Sequence, residues 1–438
     1  MRISLVCWVQ EIVYKKVELI RYCEDFYDWL KRRIYMKHVI ALDVSKGKSM
    51  IVIYDSYRRC EFEDELHHTR VDFERLHERI KDITKLDGQA PEIVFEATGI
   101  YSKPVESFLK DYGYTYSRMN PLEANLQMAK MRRHKTDISD AHDLAKTHFK
   151  MEREATYIQD DYYEQMRALT RYYDEIDEEM ILIKNRMHAI LHMSFPELET
   201  LLTPGSALFL NVIQLYPHPV FVLAHSKTVI KNRLKANTRK NLSLARAEAK
   251  AIELLEAAKN SYPAIKATDV RCDQVRDYAA RIADLKDKKE ALVKQMIALS
   301  KERKEYIVLR SIPGIGDSTA CRLIGEMGDI RRFKNAKQLN AYVGIDIMSY
   351  QSGNTQYRDR INKRGNKQLR KILYFMVCAM LMAKGQPNHF VDYYYKLKTQ
   401  PQRKPHKVAI IACINKFLKV TFQLLTHGIL YDYKTATN

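Results

Sequence analysis

Two short apolar runs that each end in a carboxylate constrain the fold of this chain most strongly. The first covers 38–43 and ends in Asp43, and the second covers 93–96 and ends in Glu96. Runs of this length and composition are typical of strands. A charged group inside an apolar strand is costly unless it is paired or binds a cation. Each acid therefore either belongs to a cation site or has an ordinary role. The ordinary role is an edge charge facing solvent for Asp43 and a turn or cap carboxylate for Glu96.

The region from 36 to 150 alternates between strand patterns and helix patterns. Strands are predicted at 38–44, 50–55, 91–96 and 114–118, and helices at 72–86 and 101–112. Gly47 fits a hairpin turn between the first two strands. This alternation predicts an α/β sheet domain. Active-site groups in such sheets collect at the carboxyl ends of strands, which is where Glu96 lies.

A pair of aspartates three residues apart follows the predicted strands. Asp137 and Asp140 would share one face of a helix, and two neighbouring carboxylates repel unless a cation lies between them. The alternative is that Asp137 caps the helix and Asp140 sits in its first turn, which is compatible with metal binding. Together with Asp43 and Glu96, the pair predicts one site for Mg²⁺ or Mn²⁺, because hard carboxylates select hard cations. A two-metal site, with ions roughly 3.5–4 Å apart, stabilises the attacking and leaving oxygens of a phosphodiester.

The bulk composition narrows the class of partner. A net charge of +19, from 73 Lys and Arg against 54 Asp and Glu, indicates a polyanion, nucleic acid before membrane. The alternative is a charge that serves solubility alone. The longest apolar stretch, 372–383, is too short to span a bilayer, and no signal peptide is predicted. Seven scattered cysteines without a C-x-x-C pair argue against a zinc knuckle or a disulfide framework and favour a reducing cytoplasm.

The middle of the chain carries two ladders of apolar residues at spacings of three and four. The ladders comprise Leu169, Tyr173, Ile176, Met180, Ile183, Met187 and Ile190, and then Val275, Tyr278, Ile282, Leu285, Lys289, Leu292, Met296 and Leu299. Both predict coiled-coil seams, which could form within the chain or between two chains.

These patterns divide the chain into five parts. Residues 1–35 are an extension that either lies upstream of a natural start at Met36 or forms a genuine N-terminal helix. The sheet domain is predicted at 36–160, a helical coiled-coil linker at 161–305 and a mainly helical C-terminal domain at 306–430. A polar tail at 431–438 ends the chain.

Two motifs of the C-terminal domain are candidates for phosphate chemistry. Gly314 and Gly316 flank an apolar residue between helical patterns, as in a helix-hairpin-helix turn whose backbone N–H groups grip a phosphate. The alternative is a packed corner without a ligand. Ser352, in Gln351-Ser-Gly353, is by itself a turn signal. A serine held among phosphate-binding groups could attack phosphorus, but it would need activation.

Basic tracts stand beside both sets of candidates. They could hold a phosphate backbone, although either could also be a solvated surface. The first tract is Arg132, Arg133, His134 and Lys135, and the second is Arg358, Arg360, Lys363, Arg364, Lys367, Arg370 and Lys371.

The order of these motifs resembles one family, the DEDD-type transposases of bacterial insertion sequences, which are bridge-RNA-guided recombinases. The resemblance covers about residues 36–430, and residues 1–35 depart from it. The motifs, in chain order, are Asp43-Val-Ser-Lys46, Glu96-Ala-Thr-Gly99, Lys135-Thr-Asp137-Ile-Ser-Asp140, Ile312-Pro-Gly-Ile-Gly316, Ala341-Tyr-Val-Gly344, Gln351-Ser-Gly353 and Lys363-Arg-Gly-Asn366.

The resemblance implies both a fold and a chemistry. It implies an RNase H-like (RuvC-like) domain, a coiled-coil link and a helical transposase domain. It also implies that Asp43, Glu96, Asp137 and Asp140 match the metal-binding acids, and that Ser352 matches a nucleophile that forms a transient 5′-phosphoserine bond. The implied partners are donor and target double-stranded DNA, a structured guide RNA, and further copies of the chain in a dimer or a pair of dimers.

Three hypotheses follow from the sequence. The leading one is an RNA-guided DNA transposase or recombinase that uses Mg²⁺ and Ser352. The second is a metal-dependent junction resolvase in which water attacks and Ser352 is a turn residue. The third is a nucleic-acid-binding scaffold without catalysis, against which the intact set of four acids argues.

Overall fold

The structure is a computed structural model of the protein. It describes residues 37–121, 124, 136–151, 153–237, 242–348, 351–352, 355–356, 360–383, 386–401 and 403–437. The predicted extension at 1–35 lies outside these residues. The chain divides into two compact units between 158 and 159, so the expected boundary between 305 and 306 falls inside the second unit.

The first unit is built on a five-stranded mixed sheet. Its elements are β1 (Val39–Ser45), β2 (Lys48–Tyr54), β3 (Cys60–His67), α1 (Arg70–Asp87), β4 (Glu92–Glu96), α2 (Lys103–Asp111), β5 (Tyr116–Met119) and α3 (Asp137–Lys150). The strand order is β3-β2-β1-β4-β5, with β1 antiparallel to β2 and parallel to β4. The predicted α/β, RNase H-like class of this region is confirmed by that arrangement.

The alternation of side chains along β1 and β4 gives the sheet two buried faces. Ile40 and Phe95 point to one face, where they pack with Leu76 of α1 and Phe108 of α2. Ala41 lies on the other face, under α3. Both faces of the central strands are therefore covered, which explains why their sequences are almost continuously apolar.

The edge strand β3 is missing from the sequence-based assignment. Half of its residues, in the sequence Cys-Glu-Phe-Glu-Asp-Glu-Leu-His, are acidic, and seven of the eight are exposed or half-buried. Exposed edge strands commonly carry charge, which blocks pairing with other chains. The apolar alternation that identifies a half-buried strand is therefore absent here.

Among the residues that the structure describes, the second unit is helical apart from two short pairs of strands. Its elements up to the end of the second long helix are α4 (Asp161–Ser194), α5 (Leu198–Leu201), α6 (Ala207–Leu215), α7 (Pro219–Leu223), α8 (Lys227–Asn237), α9 (Leu244–Asn260) and α10 (Val270–Ser300). Then follow α11 (Lys304–Arg310), α12 (Asp317–Met327), a 3₁₀ turn (Ile330–Arg332), α13 (Ala336–Val343), β6 (Ile347–Met348), β7 (Gln351–Ser352), β8 (Thr355–Gln356), β9 (Arg360–Ile361), α14 (Lys367–Met382), α15 (His389–Lys398), α16 (His406–His427) and α17 (Tyr433–Thr437).

The two predicted ladders meet within the chain. They lie on α4 and α10, which run antiparallel, since Tyr162 at the start of α4 donates to Ser300 at the end of α10 at 2.9 Å. Most ladder positions are buried in one shared core. Leu299 is an exception at 39% exposed.

The helix α16 is long and apolar enough to cross a membrane by length and composition. Its buried residues, among them Ile410, Ile414 and Phe417, belong to the core that α4 and α11 to α15 also line. The helix thus serves as the centre of a folded core in this structure.

Candidate functional site

The register of two central strands places Asp43 beside Glu96. Strands β1 and β4 are parallel, with Leu42 opposite Phe95, so the next residues along the two strands are Asp43 and Glu96. Both are half-buried at the carboxyl ends of their strands. Side chains alternate along a strand, so both acids face the side that carries Ala41, under α3.

The helix α3 runs antiparallel to these strands and brings its own acids to the same end. His148, near its end, bonds through Nε2 to Oε2 of Glu92 at the start of β4, at 2.7 Å. Asp140 lies eight residues earlier on the helix, about 12 Å along its axis. Glu96 lies four residues after Glu92, about 13 Å along its strand. Asp140 is therefore level with Glu96.

Asp137 opens α3 at the same end of the sheet. Its side chain is exposed, whereas Asp140 is half-buried. Lys48, at the start of β2, has a raised pKa because Glu65 bonds to it, and Asp137 adds a further attraction. The four predicted acids therefore lie at one end of the sheet, and all of them offer oxygen ligands, the set that suits Mg²⁺.

The alternative in which Asp137 caps the helix is wrong. The cap is Thr136, whose Oγ1 accepts from the N–H of Ser139 at 3.1 Å, while Ser139 Oγ accepts from the N–H of Thr136 at 3.1 Å. This capping box satisfies the first turn of α3 without Asp137. The sequence signal for this capping box is the three-residue spacing between Thr136 and Ser139.

Ser352 lies on a short hairpin in the second unit. It pairs with Thr355 across β7 and β8, and the outer pair β6 and β9 joins Ile347 to Ile361. We call the four short strands β6 to β9 the serine ribbon. The structure describes the backbone of Ser352, and Gly353 lies outside the described residues.

Two glycines close the base of the serine ribbon. A Cβ on Gly365 would lie 2.6 Å from the carbonyl oxygen of Tyr342 and 2.7 Å from the nitrogen of Gly344. Gly344 itself has a φ of 75°, which favours glycine. The backbones of the segments around Gly344 and Gly365 therefore pack directly against each other. This explains why each of these two segments has a glycine at the point of contact.

A buried polar network lies beneath the ribbon, and sequence reasoning missed it. Glu326 is fully buried, and its carboxylate accepts from Nδ2 of Asn366 at 2.6 Å and from Nε of Arg171 at 3.2 Å. Asn366 also donates to the Tyr342 hydroxyl at 3.1 Å. Burial favours a higher pKa for Tyr342, but Arg167 and other cations outweigh it and lower the pKa. The one signal in the sequence is a glutamate among the apolar residues of the last helical turn, Leu323-Ile-Gly-Glu326-Met327.

The predicted nucleic-acid contacts fall into three groups. Arg360, Lys363, Arg364 and Lys367 are exposed around the base of the ribbon and the start of α14. Arg370 instead donates to the carbonyl of Val343 at 2.7 Å, so its guanidinium supports the ribbon base. The remaining predicted cations, Arg132, Arg133, Lys135 and Arg358, lie outside the described residues.

The predicted helix-hairpin-helix turn joins α11 to α12. A Cβ on Gly314 would lie 2.8 Å from Cγ of Met380, so the turn packs closely on α14. Asp317, at the start of α12, pairs with Arg310 at 2.5 Å and accepts from the Tyr306 hydroxyl at 2.8 Å. This carboxylate occupies the helix terminus near Gly316, which favours the packed corner over a phosphate grip there.

Two family models match the chain. A DEDD transposase model of the IS110 elements matches residues 40–196, which contain all four acids. The model of the transposase IS116/IS110/IS902 family matches residues 307–394, which contain Ser352. Together they cover more than half of the chain.

Several curated proteins are similar to parts of the chain. The transposase for insertion sequence element IS1111A of Coxiella burnetii is 31% identical over 31% of this chain and 37% of its own length. An uncharacterised 43.6 kDa protein of insertion element IS110 in Streptomyces coelicolor is 22% identical over 61% of this chain and 64% of its own. The pilin gene-inverting protein of Moraxella bovis is 29% identical over 28% and 38%. The chain thus spans less than two thirds of these relatives.

Among solved structures, the chain is similar to that of T. thermophilus RuvC in complex with a Holliday junction substrate. The TM-score is 0.21 and the identity 10%, over 27% of this chain and 99% of that chain. Membership rests on the two family models, which match in the chain order of the motifs described above. The chain belongs to the IS110 family of DEDD-type transposases.

Proposed function

We propose that the protein is a DNA transposase or recombinase that cuts and rejoins DNA through a transient 5′-phosphoserine bond at Ser352. The observation that carries the proposal is the strand register that sets Asp43 beside Glu96 under the helix that bears Asp137 and Asp140. Among the similar proteins, those of Moraxella are named for gene inversion, which supports a recombination reaction.

The four acids would hold Mg²⁺ or Mn²⁺ in this proposal. Their donor atoms are all carboxylate oxygens, which suit hard cations. A bound divalent cation lowers the pKa of a nearby hydroxyl and neutralises charge that builds on a phosphate.

The proposed reaction at Ser352 balances without an external energy source. The serine oxygen forms a bond to phosphorus, the bond from phosphorus to the 3′ oxygen breaks, and the 3′ oxygen takes up a proton as it leaves. The serine hydroxyl supplies a proton to the site in the same exchange. Because one phosphate ester replaces another, the reverse attack by a 3′ hydroxyl rejoins DNA without ATP.

The cations around the ribbon are proposed to position the DNA. The exposed Arg360, Lys363, Arg364 and Lys367 would contact phosphates, which fixes register and makes affinity depend on salt. From the sequence alone, Arg132, Arg133, Lys135 and Arg358 join this group. Gly314 and Gly316 remain weaker candidates because of the packing at that turn.

We further propose a structured guide RNA as partner, assembly as a dimer or a pair of dimers, and action in the bacterial cytoplasm. These proposals extend the family membership and the net charge of +19.

The test is a covalent-trapping assay. The chain is incubated with Mg²⁺, labelled double-stranded DNA and the structured non-coding RNA of its own element, and the products are separated in SDS. We expect a labelled protein–DNA adduct that disappears in Ser352→Ala. Thr355→Ala, which removes a hydroxyl opposite Ser352 on the same ribbon, is the matched control and should retain the adduct.

Two other outcomes would point to different functions. Cleavage that survives Ser352→Ala without an adduct would indicate attack by water, as in a junction resolvase. DNA and RNA binding without cleavage, under all metals tried, would indicate a scaffold.

A further inference from the structure

A second group of potential metal ligands lies on the same face of the sheet as the four acids. One ligand atom from each of Cys60, Glu63 and His142 lies within 4.8 Å of the other two. Cys60 and Glu63 belong to β3, and His142 belongs to α3. Sulfur, carboxylate oxygen and imidazole nitrogen together form a donor set that suits Zn²⁺, unlike the oxygen-only set of the four acids.

A β-bulge explains how the two ligands from β3 reach the same face. Residues three apart on a regular strand point to opposite faces. Here Cys60 pairs with Tyr54, while Phe62 pairs with Ile53, so one extra residue is inserted between them. Glu63 then lies opposite Val52, which shares its face with Tyr54. Bulges commonly turn a side chain in this way.

The imidazole of His142 is oriented by a partner on its other nitrogen. Nδ1 lies 2.7 Å from the hydroxyl of Tyr54, a buried residue at the end of β2. Nε2 lies 2.9 Å from Oε2 of Glu63, which places it among the proposed ligands. Metal-binding histidines almost always have such a partner on the second nitrogen.

The dimensions of the group suit a tetrahedral ion. Zn²⁺ lies about 2.0–2.3 Å from such ligands, which sets ligand atoms about 3.3–3.7 Å apart in a tetrahedron. Nε2 of His142 and Oε2 of Glu63 lie 2.9 Å apart, slightly closer than that range, and all three ligand atoms lie within 4.8 Å of one another. Cys60 is exposed at the start of its strand, so its side chain has room to adjust.

We propose that Cys60, Glu63 and His142 bind one Zn²⁺, with a fourth position open to water. Binding releases the thiol proton of Cys60 to solvent as the sulfur–zinc bond forms. The ion would join the edge strand β3 to α3, two residues from Asp140. The bound ion would hold the acid-bearing helix on the sheet, and its site is separate from the proposed Mg²⁺ site.

The test uses the full chain and zinc alone. Zinc affinity is measured by competition with a chromophoric chelator, and Co²⁺ is substituted to detect thiolate-to-cobalt charge transfer. We expect one tight equivalent, an affinity at least tenfold weaker in Cys60→Ser, Glu63→Gln and His142→Asn, and loss of the charge-transfer band in Cys60→Ser. Tyr54→Phe should weaken binding about 10-fold or more. Cys378→Ser, a half-buried cysteine on α14, is the control and should bind as the wild type does.

The melting temperature gives a second readout that does not depend on catalysis. Zinc should raise it in the wild type and in Cys378→Ser, and it should have little effect in Cys60→Ser. Equal zinc affinity in the wild type and Cys60→Ser, or the absence of a tight equivalent, would overturn the proposal. Either result would leave the proposed transposase activity untouched.

Discussion

A single amide, that of Asn366, connects three parts of the second unit. Its oxygen caps α14 by accepting from the N–H groups of Gln368 at 3.1 Å and Leu369 at 3.0 Å. Its nitrogen donates to the buried carboxylate of Glu326 at 2.6 Å. A buried carboxylate that loses its donor keeps the full cost of desolvation. The stability of the ribbon base therefore depends on this residue more than on an ordinary cap.

Asn366→Ala should lower the free energy of unfolding by about 2–4 kcal/mol, the sum of a lost cap and a lost bond to a buried charge. Asn335→Ala is the matched control, because Asn335 caps α13 at an exposed position and bonds to the N–H of Gln338 at 3.0 Å. That variant should lose about 1 kcal/mol. Urea unfolding measures both, and equal losses would show that the bond to Glu326 contributes little.

A buried histidine makes the second unit sensitive to acid. The pKa of His389 is lowered from 6.5 to about 4, mainly by burial and also by Lys416, while Asp392 acts in the opposite direction. Nδ1 lies 2.7 Å from the Tyr431 hydroxyl. The unfolded chain binds a proton on this residue more readily than the folded chain does. The stabilisation is therefore present above pH 6.5 and is lost as the pH falls toward 4.

His389 should account for about 2–4 kcal/mol of the stability lost between pH 7 and pH 4. His389→Asn removes the titrating ring and should flatten the dependence of the urea midpoint on pH over that window. The difference between the two slopes is the measurement, since other groups titrate in both proteins. Parallel slopes would contradict the assignment.

At the scale of elements, the strands and long helices could be predicted because their apolar periodicity is strong. The central strands lie within a few residues of their predicted bounds, and the two predicted ladders lie on the two long helices. The acids at 43 and 96 follow from the same pattern, since each ends an apolar run. What could not be predicted depends on tertiary contacts: the acidic edge strand β3, the bulge that turns Cys60, and the buried carboxylate of Glu326. None of these carries a periodic signal.

The closure of the serine ribbon can be tested with one methyl group. Gly365→Ala places a Cβ within 3 Å of three backbone atoms, which cannot give way as a flexible side chain would. We expect a loss of about 1–3 kcal/mol, in the range of overpacking. We also expect weaker adduct formation at Ser352 because the ribbon base must shift.

Gly316→Ala is the control for that experiment. A Cβ there meets nothing within 4 Å among the residues that the structure describes, and the residue has a negative φ of −84°. Its stability should stay within about 1 kcal/mol of the wild type, with a gain possible through the unfolded state. Comparable losses in both variants would exclude the close packing of 344 against 365 as the cause.

At the scale of the whole molecule, the proposed acids and the proposed nucleophile belong to two different compact units. An active site shared between copies of the chain can be tested by mixing variants. Asp137→Asn and Ser352→Ala should each fail to form the DNA adduct alone. If the site is shared, their mixture should regain part of it, because one copy supplies the acids and the other supplies the serine.

In such a mixture, the protein attached to the DNA should be Asp137→Asn, because this variant retains Ser352. A size tag on one variant shows which of the two is attached. A mixture that stays inactive, although the tagged chains co-purify, would contradict sharing between copies. RNA binding by Asp137→Asn should be largely unchanged. A collapse of RNA binding would indicate a mainly structural role for the acid.

The place of α16 in the core also has a consequence for synthesis on the ribosome. The first unit is complete at residue 158, so it can fold while the rest of the chain is still being made. The second unit cannot complete its core before the chain is almost fully made, because Tyr162 and Met166 pack in the same core as Ile410 and Phe417. A transcript that ends before codon 406 lacks α16. Its product would have a folded sheet domain with the four acids and an incompletely folded, aggregation-prone helical region. A truncating mutation near the end of the gene should therefore abolish the activity of the protein as completely as one near its start.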